Sequence, residues 1–178
     1  MYKHPVATAL LPTPSLGNDQ LLSESEKLQD FLKQCRRHIH QHPEVGFEEV
    51  QTAQFVRSIL QGAGFDVHEA ADTGAWVEII GEKPGPTVAY RADLDALPIH
   101  DAKCVDYASK TPGVAHLCGH DAHTTIAMGV ALLTRHFRHQ LHGKVRVFFQ
   151  PNEEGVPSGA PLMIEAGALQ DVEAVFGI

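Results

Sequence analysis

Leu28, Phe31, Leu32, Cys35 and Ile39 recur three or four residues apart, the spacing of one helix face. Ser23-x-x-Glu26, just ahead of them, has the pattern of a capping box, in which each side chain bonds the other residue's backbone N–H. A first helix is therefore predicted from Ser23 to about His42, ending before Pro43, whose ring disfavours helical backbone ahead of it. Phe47, Val50, Ala53, Val56, Ile59 and Leu60 give a second amphipathic helix, closed by Gly62 and Gly64. Strand-like runs follow near Asp66–Ala70, Ala75–Ile80 and Thr87–Arg91, separated by Gly and Pro. Ala122 to about Phe137 reads as a third helix. In Lys144–Gln150, Val145, Val147 and Phe149 alternate with polar or second-face residues, the period of a strand. Pro161–Ala166 is a short helix, and Val172–Ile178 begins another strand.

Strands alternating with helices predict a three-layer α/β/α domain around a mostly parallel sheet. In such sheets ligands bind beyond the carboxyl ends of the strands. Asp93, Asp95, Glu153 and Glu154 all follow predicted strands directly.

Composition narrows the function. Hydrophobic residues at 43% and charged residues at 20% are those of an ordinary globular domain. A net charge of −8 with no Lys/Arg cluster argues against nucleic acid as a partner, and no apolar run is long enough to span a membrane. Residues 1–22 are expected to be a flexible arm, since Pro5, Pro12 and Pro14 make a poor secretory signal. Cys35, Cys104 and Cys118 are odd in number and irregularly spaced, which points to a reducing compartment, the cytoplasm, and to chemistry rather than a disulfide framework.

That chemistry concentrates in two places. His116-Leu117-Cys118-Gly119-His120-Asp121-Ala122-His123 sets imidazoles, a thiol and a carboxylate where the third helix starts. Glu153 and Glu154 form a carboxylate pair behind the strand that ends at Gln150. Thiolate, imidazole and carboxylate are the donors of a divalent transition metal, and a neighbouring carboxylate can accept a proton from water. Cys118 and His120 are the leading metal ligands, the thiolate favoured by the positive end of the helix behind it. His116 and His123 suit hydrogen bonding beside a metal site. Asp121 either orients a ligand histidine or caps the helix beginning at Ala122. Asp93 and Asp95 share one face of an extended segment, and Arg91 can pair with either. His38, His40 and His42 read as a solvated or packed helix end, His136, His139 and His142 as groups suited to a helix C-terminus, and Trp76, Cys35 and Cys104 as packing residues.

Five segments occur in a telling order. His42-Pro43-Glu44-x-x-Phe47-x-Glu49 comes first, followed by Arg91-Ala92-Asp93-Leu94-Asp95-Ala96-Leu97-Pro98-Ile99 and Cys118-Gly119-His120-Asp121-Ala122-His123. Phe149-Gln150-Pro151-Asn152-Glu153-Glu154-Gly155 and Met163-Ile164-Glu165-Ala166-Gly167-Ala168-Leu169 complete the set. From about Leu28 to Ile178 the chain resembles the metal-dependent amidohydrolase family of hippurate hydrolases, N-acyl-amino-acid hydrolases and plant auxin-conjugate hydrolases. The resemblance implies a zinc-peptidase-like catalytic domain holding two divalent ions (zinc, manganese, cobalt or nickel) and acting on small N-acyl or N-aroyl amino acids. It assigns Glu153 as general base and Glu154, with Cys118 and His120, as metal ligands. It gives Asp95 the orienting of a ligand histidine, with Asp93 in the same surroundings or a structural acceptor.

In that family a metal-ligating histidine, a lid and dimerisation domain and the rest of the catalytic domain follow the point matching Ile178. The expectation is thus that residues 23–178 form the N-terminal part of a truncated catalytic domain, inactive alone, whose full-length protein is a homodimer or tetramer. Two rivals use the same residues: a thiol hydrolase with Cys118 as nucleophile, and a non-catalytic metal-binding module.

Overall fold

A computed structural model describes residues 17–178. Helix α1 spans Asn18–Gln41 and starts behind Gly17 with no side-chain cap. The expected capping box is therefore not used. Ser23 and Glu26 lie inside the helix because nothing from Asn18 to Leu22 breaks it, and Asp19 already places a negative charge in the first turn, where the helix dipole favours one. Of the predicted arm, Asn18–Leu22 is helix instead, and residues 1–16 lie outside the described part.

Helix α2 (Val50–Gly62) is capped from a distance: Glu44 Oε1 accepts the Gln51 amide at 3.1 Å and Oε2 the Thr52 amide at 2.8 Å. Strands β1 (His68–Ala70), β2 (Gly74–Ile80) and β3 (Lys83–Asp93), helix α3 (His120–His136), strand β4 (His142–Gln150), helix α4 (Ala160–Glu165) and strand β5 (Ala174–Gly177) complete the described fold. The sheet order is β1-β2-β4-β3-β5. β3 runs parallel to both β4 and β5, whereas β2 is antiparallel to β1 and β4, so β2 alone opposes the common direction. The reason is the short link from β2 to β3, Gly81 and Glu82, which leaves no room for the crossover that parallel strands need. The sheet is mostly parallel, as the alternating pattern predicts.

Two apolar layers fix the sheet. On one face Val77, Ile79, Val147 and Phe149 meet Cys35 and Ile39 of α1, Val56 and Leu60 of α2, and Ala127, Met128 and Ala131 of α3. Gly129 permits the close crossing of α1 over α3, since a Cβ there would stand 2.9 Å from Leu32 Cδ1. On the other face Ala70, Ala89 and Phe148 pack with Met163 of α4, Ala168, Trp76 and Leu169. Arg146 closes that layer, lying 4.6 Å over the Trp76 ring and donating to the carbonyls of Gly167, Ala168 and Gln170. No described helix is long and apolar enough to cross a membrane.

Candidate metal centre

β3 and β4 are parallel neighbours in register Asp93↔Gln150, so the segments leaving their carboxyl ends emerge side by side. This brings Asp93 and Asp95 next to Glu153 and Glu154. Gly119, at φ 110, turns the chain into α3 through backbone that a side chain would resist, and His120 opens the helix beneath the carboxylates.

Contacts to its own neighbours set the ring of His120. Nδ1 donates to the Asp95 carbonyl at 2.8 Å, with Asp95 Oδ1 3.3 Å away, leaving Nε2 turned to the cluster. From Nε2, Asp93 Oδ2 lies at 3.7 Å, and Glu153 Oε2 and Glu154 Oε1 each at 3.8 Å. Donor atoms of Cys118, His120 and Glu154 all lie within 4.8 Å of one another, and a second set within the same limit is Asp93, His120 and His123. His123 Nδ1 sits 2.8 Å from Asp93 Oδ1 and Arg91 Nη1 2.7 Å from Asp93 Oδ2, so Arg91 chooses Asp93 over Asp95. The Asp95 carboxylate instead accepts the Glu154 amide at 2.9 Å.

The electrostatics ask for a cation. Burial, then hydrogen bonding to Glu154 and the charges of Glu154, Asp93 and Glu153, raise the Cys118 thiol above its ordinary value. Any pull of the helix end on the Cys118 thiolate is thus outweighed by desolvation and the carboxylates, so a thiolate there calls for a bound metal. Burial works against a charged His120 ring, but Asp95 and Asp93 together raise it. Burial likewise disfavours ionised Asp95, yet His120 and the amides of Glu154 and Glu153 hold it below the usual carboxylate range. Two donor sets that share His120, one with the Cys118 thiol and the Glu154 carboxylate and one with Asp93 and His123, fit divalent ions, which would replace the repulsion with attraction and deprotonate the thiol.

Asp121 does something else. It lies inside the first turn of α3, not at its cap. Its Oδ2 accepts from His40 at 2.8 Å and Arg36 Nε at 3.1 Å. Lys103 Nζ, at 3.3 Å, and Asp101 Oδ2, at 3.5 Å, stand at the ring's other nitrogen, Nε2, extending the network. The sequence reading missed this buried ion network because helix α1 brings His40 to Asp121 across 81 positions. Beside it His116 is buried without a hydrogen-bond partner on either nitrogen, and burial pushes its pKa down to about 4.

Asp121→Ala is expected to cost about 1–3 kcal/mol, the penalty for orphaning a buried donor, read from denaturant unfolding. Burial raises the Asp121 pKa, but His40, His116 and Arg36 bring it below the ordinary value overall. A depressed carboxyl stabilises the fold above the ordinary range and loses that contribution as pH falls through its folded value, so the difference between parent and variant should shrink in acid.

A family model described as peptidase family M20/M25/M40 matches residues 89–178, the stretch that holds the whole cluster. The chain belongs to this family. Within it, the chain is 44% identical over 143 residues to an N-acyl-L-amino acid amidohydrolase of Geobacillus stearothermophilus, covering 80% of this chain and 39% of that protein. It is also 44% identical over 157 residues to an IAA-amino acid hydrolase of Arabidopsis thaliana, covering 88% of this chain and 35% of the relative. A solved structure of the YXEP protein of Bacillus subtilis, described as a dinuclear metal binding peptidase from the M20 family, superposes with TM-score 0.82 at 41% identity, over 85% of this chain and 43% of the other. The chain spans less than half the length of these relatives.

Proposed function

We propose that this protein is a metal-dependent amidohydrolase that cleaves N-acyl or N-aroyl amino acids. The observation that carries the reading is the convergence of Cys118, His120 and Glu154 donor atoms within 4.8 Å, with Glu153 beside them. The first two relatives named above are an N-acyl-amino-acid amidohydrolase and an IAA-amino acid hydrolase, which supports the substrate class.

Cys118, His120 and Glu154 would hold the metal, and Asp93 and His123 stand where a second ion could share His120's surroundings. When bound, the metal supplies Lewis acidity that polarises the amide carbonyl and acidifies water. The chain's own residues do the rest. Glu153, with a side chain 39% exposed, is open to solvent and accepts a proton from water as its oxygen attacks the carbonyl carbon. The C–N bond then breaks and Glu153 returns the proton to the leaving nitrogen, giving a carboxylic acid and a free amino acid. Arg91 Nη2, 3.9 Å from Glu153 Oε1, steadies the carboxylate before it takes the proton and after it has given it up. A cleft of about 360 Å³ beside Asp95 and Glu154 has Val45, Gly46, Ala96, Leu97 and Pro98 as its walls, and its apolar side suits the acyl group.

The raised Cys118 thiol speaks against the thiol-hydrolase reading, since a nucleophilic cysteine needs its thiolate favoured. Activity is assigned to the full-length protein, since this chain covers 39% of its amidohydrolase relative. Three unpaired cysteines support a reducing compartment such as the cytoplasm. The test is release of free amino acid from N-benzoylglycine and N-acetyl amino acids by full-length protein loaded in turn with zinc, manganese, cobalt or nickel. Metal-dependent turnover is expected. Equal turnover after chelation would overturn the reading.

A further inference from the structure

Glu49 is a carboxylic acid with none of its surface exposed, and it closes the first of the five sequence segments, His42 to Glu49, in a position the mechanism above does not use. Its partners are hydrogen-bond donors rather than a cation. Oε2 accepts the Thr73 hydroxyl at 2.6 Å and Oε1 accepts the Asn152 amide at 2.8 Å. Burial raises its pKa, and these donors offset only part of that. An acid kept inside the protein at this cost is placed for what it holds.

What it holds is the residue before Glu153. Asn152 has φ 45, a left-handed backbone that a non-glycine residue keeps only when its surroundings insist. Its Nδ2 donates to the Pro157 carbonyl at 2.7 Å and its own carbonyl accepts the Gly159 amide at 3.0 Å. A Cβ at either Gly46 or Gly155 would collide with the Asn152 side chain, so both neighbours must be glycine for it to fit. On the other side of Glu153, the Glu154 amide is held by Asp95 Oδ2 at 2.9 Å. Two buried carboxylates thus grip alternate amides and leave the Glu153 side chain between them.

The segment that carries Glu49 is itself tied to the site. The Glu44 carbonyl accepts the Ala96 amide at 2.8 Å, and the Glu44 carboxylate caps α2, fixing the backbone on which Glu49 stands.

We propose that Glu49 is a positioning residue: through the Asn152 amide it holds the Glu153–Glu154 turn in register with His120 and so sets where Glu153 meets its proton. The inference rests on the reading of Glu153 as proton acceptor. Misplacing a reacting group by about 1 Å can cost about 100-fold in rate. In the full-length, metal-loaded protein Glu49→Ala should therefore lower kcat by about 100-fold while KM and metal content stay near parental. Glutamine offers the Asn152 amide an acceptor and the Thr73 hydroxyl a donor, so Glu49→Gln should restore kcat to within about threefold of parent. Aspartate keeps the charge but draws the acceptor back by one methylene, so Glu49→Asp should behave like the alanine variant.

Hydrogen exchange gives a readout apart from activity. Amides between Phe149 and Val156 should exchange faster in the Ala and Asp variants, with α1 and α3 unchanged. If the alanine variant does not fold, the aspartate and glutamine variants decide. Loss in Gln with retention in Asp would mean that charge matters rather than placement, and overturns the proposal. So does parental kcat in Glu49→Asp with a Glu153→Gln variant inactive. Full turnover in Glu153→Gln instead removes the functional reading on which the proposal stands.

Discussion

Replacing Glu153 by glutamine in the full-length protein is expected to lower kcat by about 10²–10⁴-fold, the range that a lost general base costs, with metal content unchanged. The amide keeps the shape and the polar reach of the carboxylate but cannot take a proton. Glu153 Oε2 stands 3.8 Å from His120 Nε2, the same distance as Glu154 Oε1, so distance to the imidazole does not tell the two carboxylates apart. Their backbones and neighbours do. The Glu154 amide is locked to Asp95, and Glu154 joins Cys118 and His120 in one set of donors, whereas Glu153 faces Arg91 and solvent. Glu154→Gln should accordingly lose metal first and turnover as a consequence. Kinetics and metal analysis on the same preparations check the pair. Loss of metal in Glu153→Gln, with metal retained in Glu154→Gln, would reverse the two roles.

The sequence was most informative where periodicity and chemistry coincided. The β4 alternation of Val145, Val147 and Phe149 marks a strand that packs one face into the core, and the motif behind it falls at the strand's carboxyl end because a parallel sheet puts it there. Cys118, His120 and Glu154 were legible as donor types at the edges of elements, and the fold brings those donors together. Two kinds of fact were not legible. Strand direction was one: the reversed β2 follows from the length of a link rather than from any residue pattern. Partners of buried charges were the other. Asp121 next to a candidate ligand reads as a cap or an orienting acid, yet its partner is His40, from a helix packed on α3. Glu49 was visible as part of a motif, but its role lies in a bond to Asn152, 103 positions away, which no local pattern encodes. The start of α1 failed for the opposite reason: a strong local signal at Ser23 was overridden because an uninterrupted helix could begin earlier.

Removing metal should abolish turnover and at the same time open Cys118 to alkylation. Metal polarisation is worth several kcal/mol at a transition state, so chelation is expected to cost at least about 10³-fold, recovered when a divalent ion is returned. Cys118 is exposed at the head of α3, and a bound ion would occupy its sulfur, so iodoacetamide should label it only in chelated protein. The same molecule carries its own controls. Cys104 is exposed and outside the cluster, so it should label with or without metal, and buried Cys35 should label in neither state. Even stripped of metal, Cys118 should react more slowly than Cys104 near neutral pH, because partial desolvation of its sulfur and the carboxylates of Glu154, Asp93 and Glu153 keep its thiol protonated. Peptide mass spectrometry after a timed pulse of reagent reads all three sites at once. A thiol hydrolase predicts the reverse pattern: turnover that survives chelation, and rapid labelling of Cys118 in the active protein with activity lost in step. That outcome would leave the carboxylates around Cys118 without a cation to bind and would return the catalytic role to the sulfur.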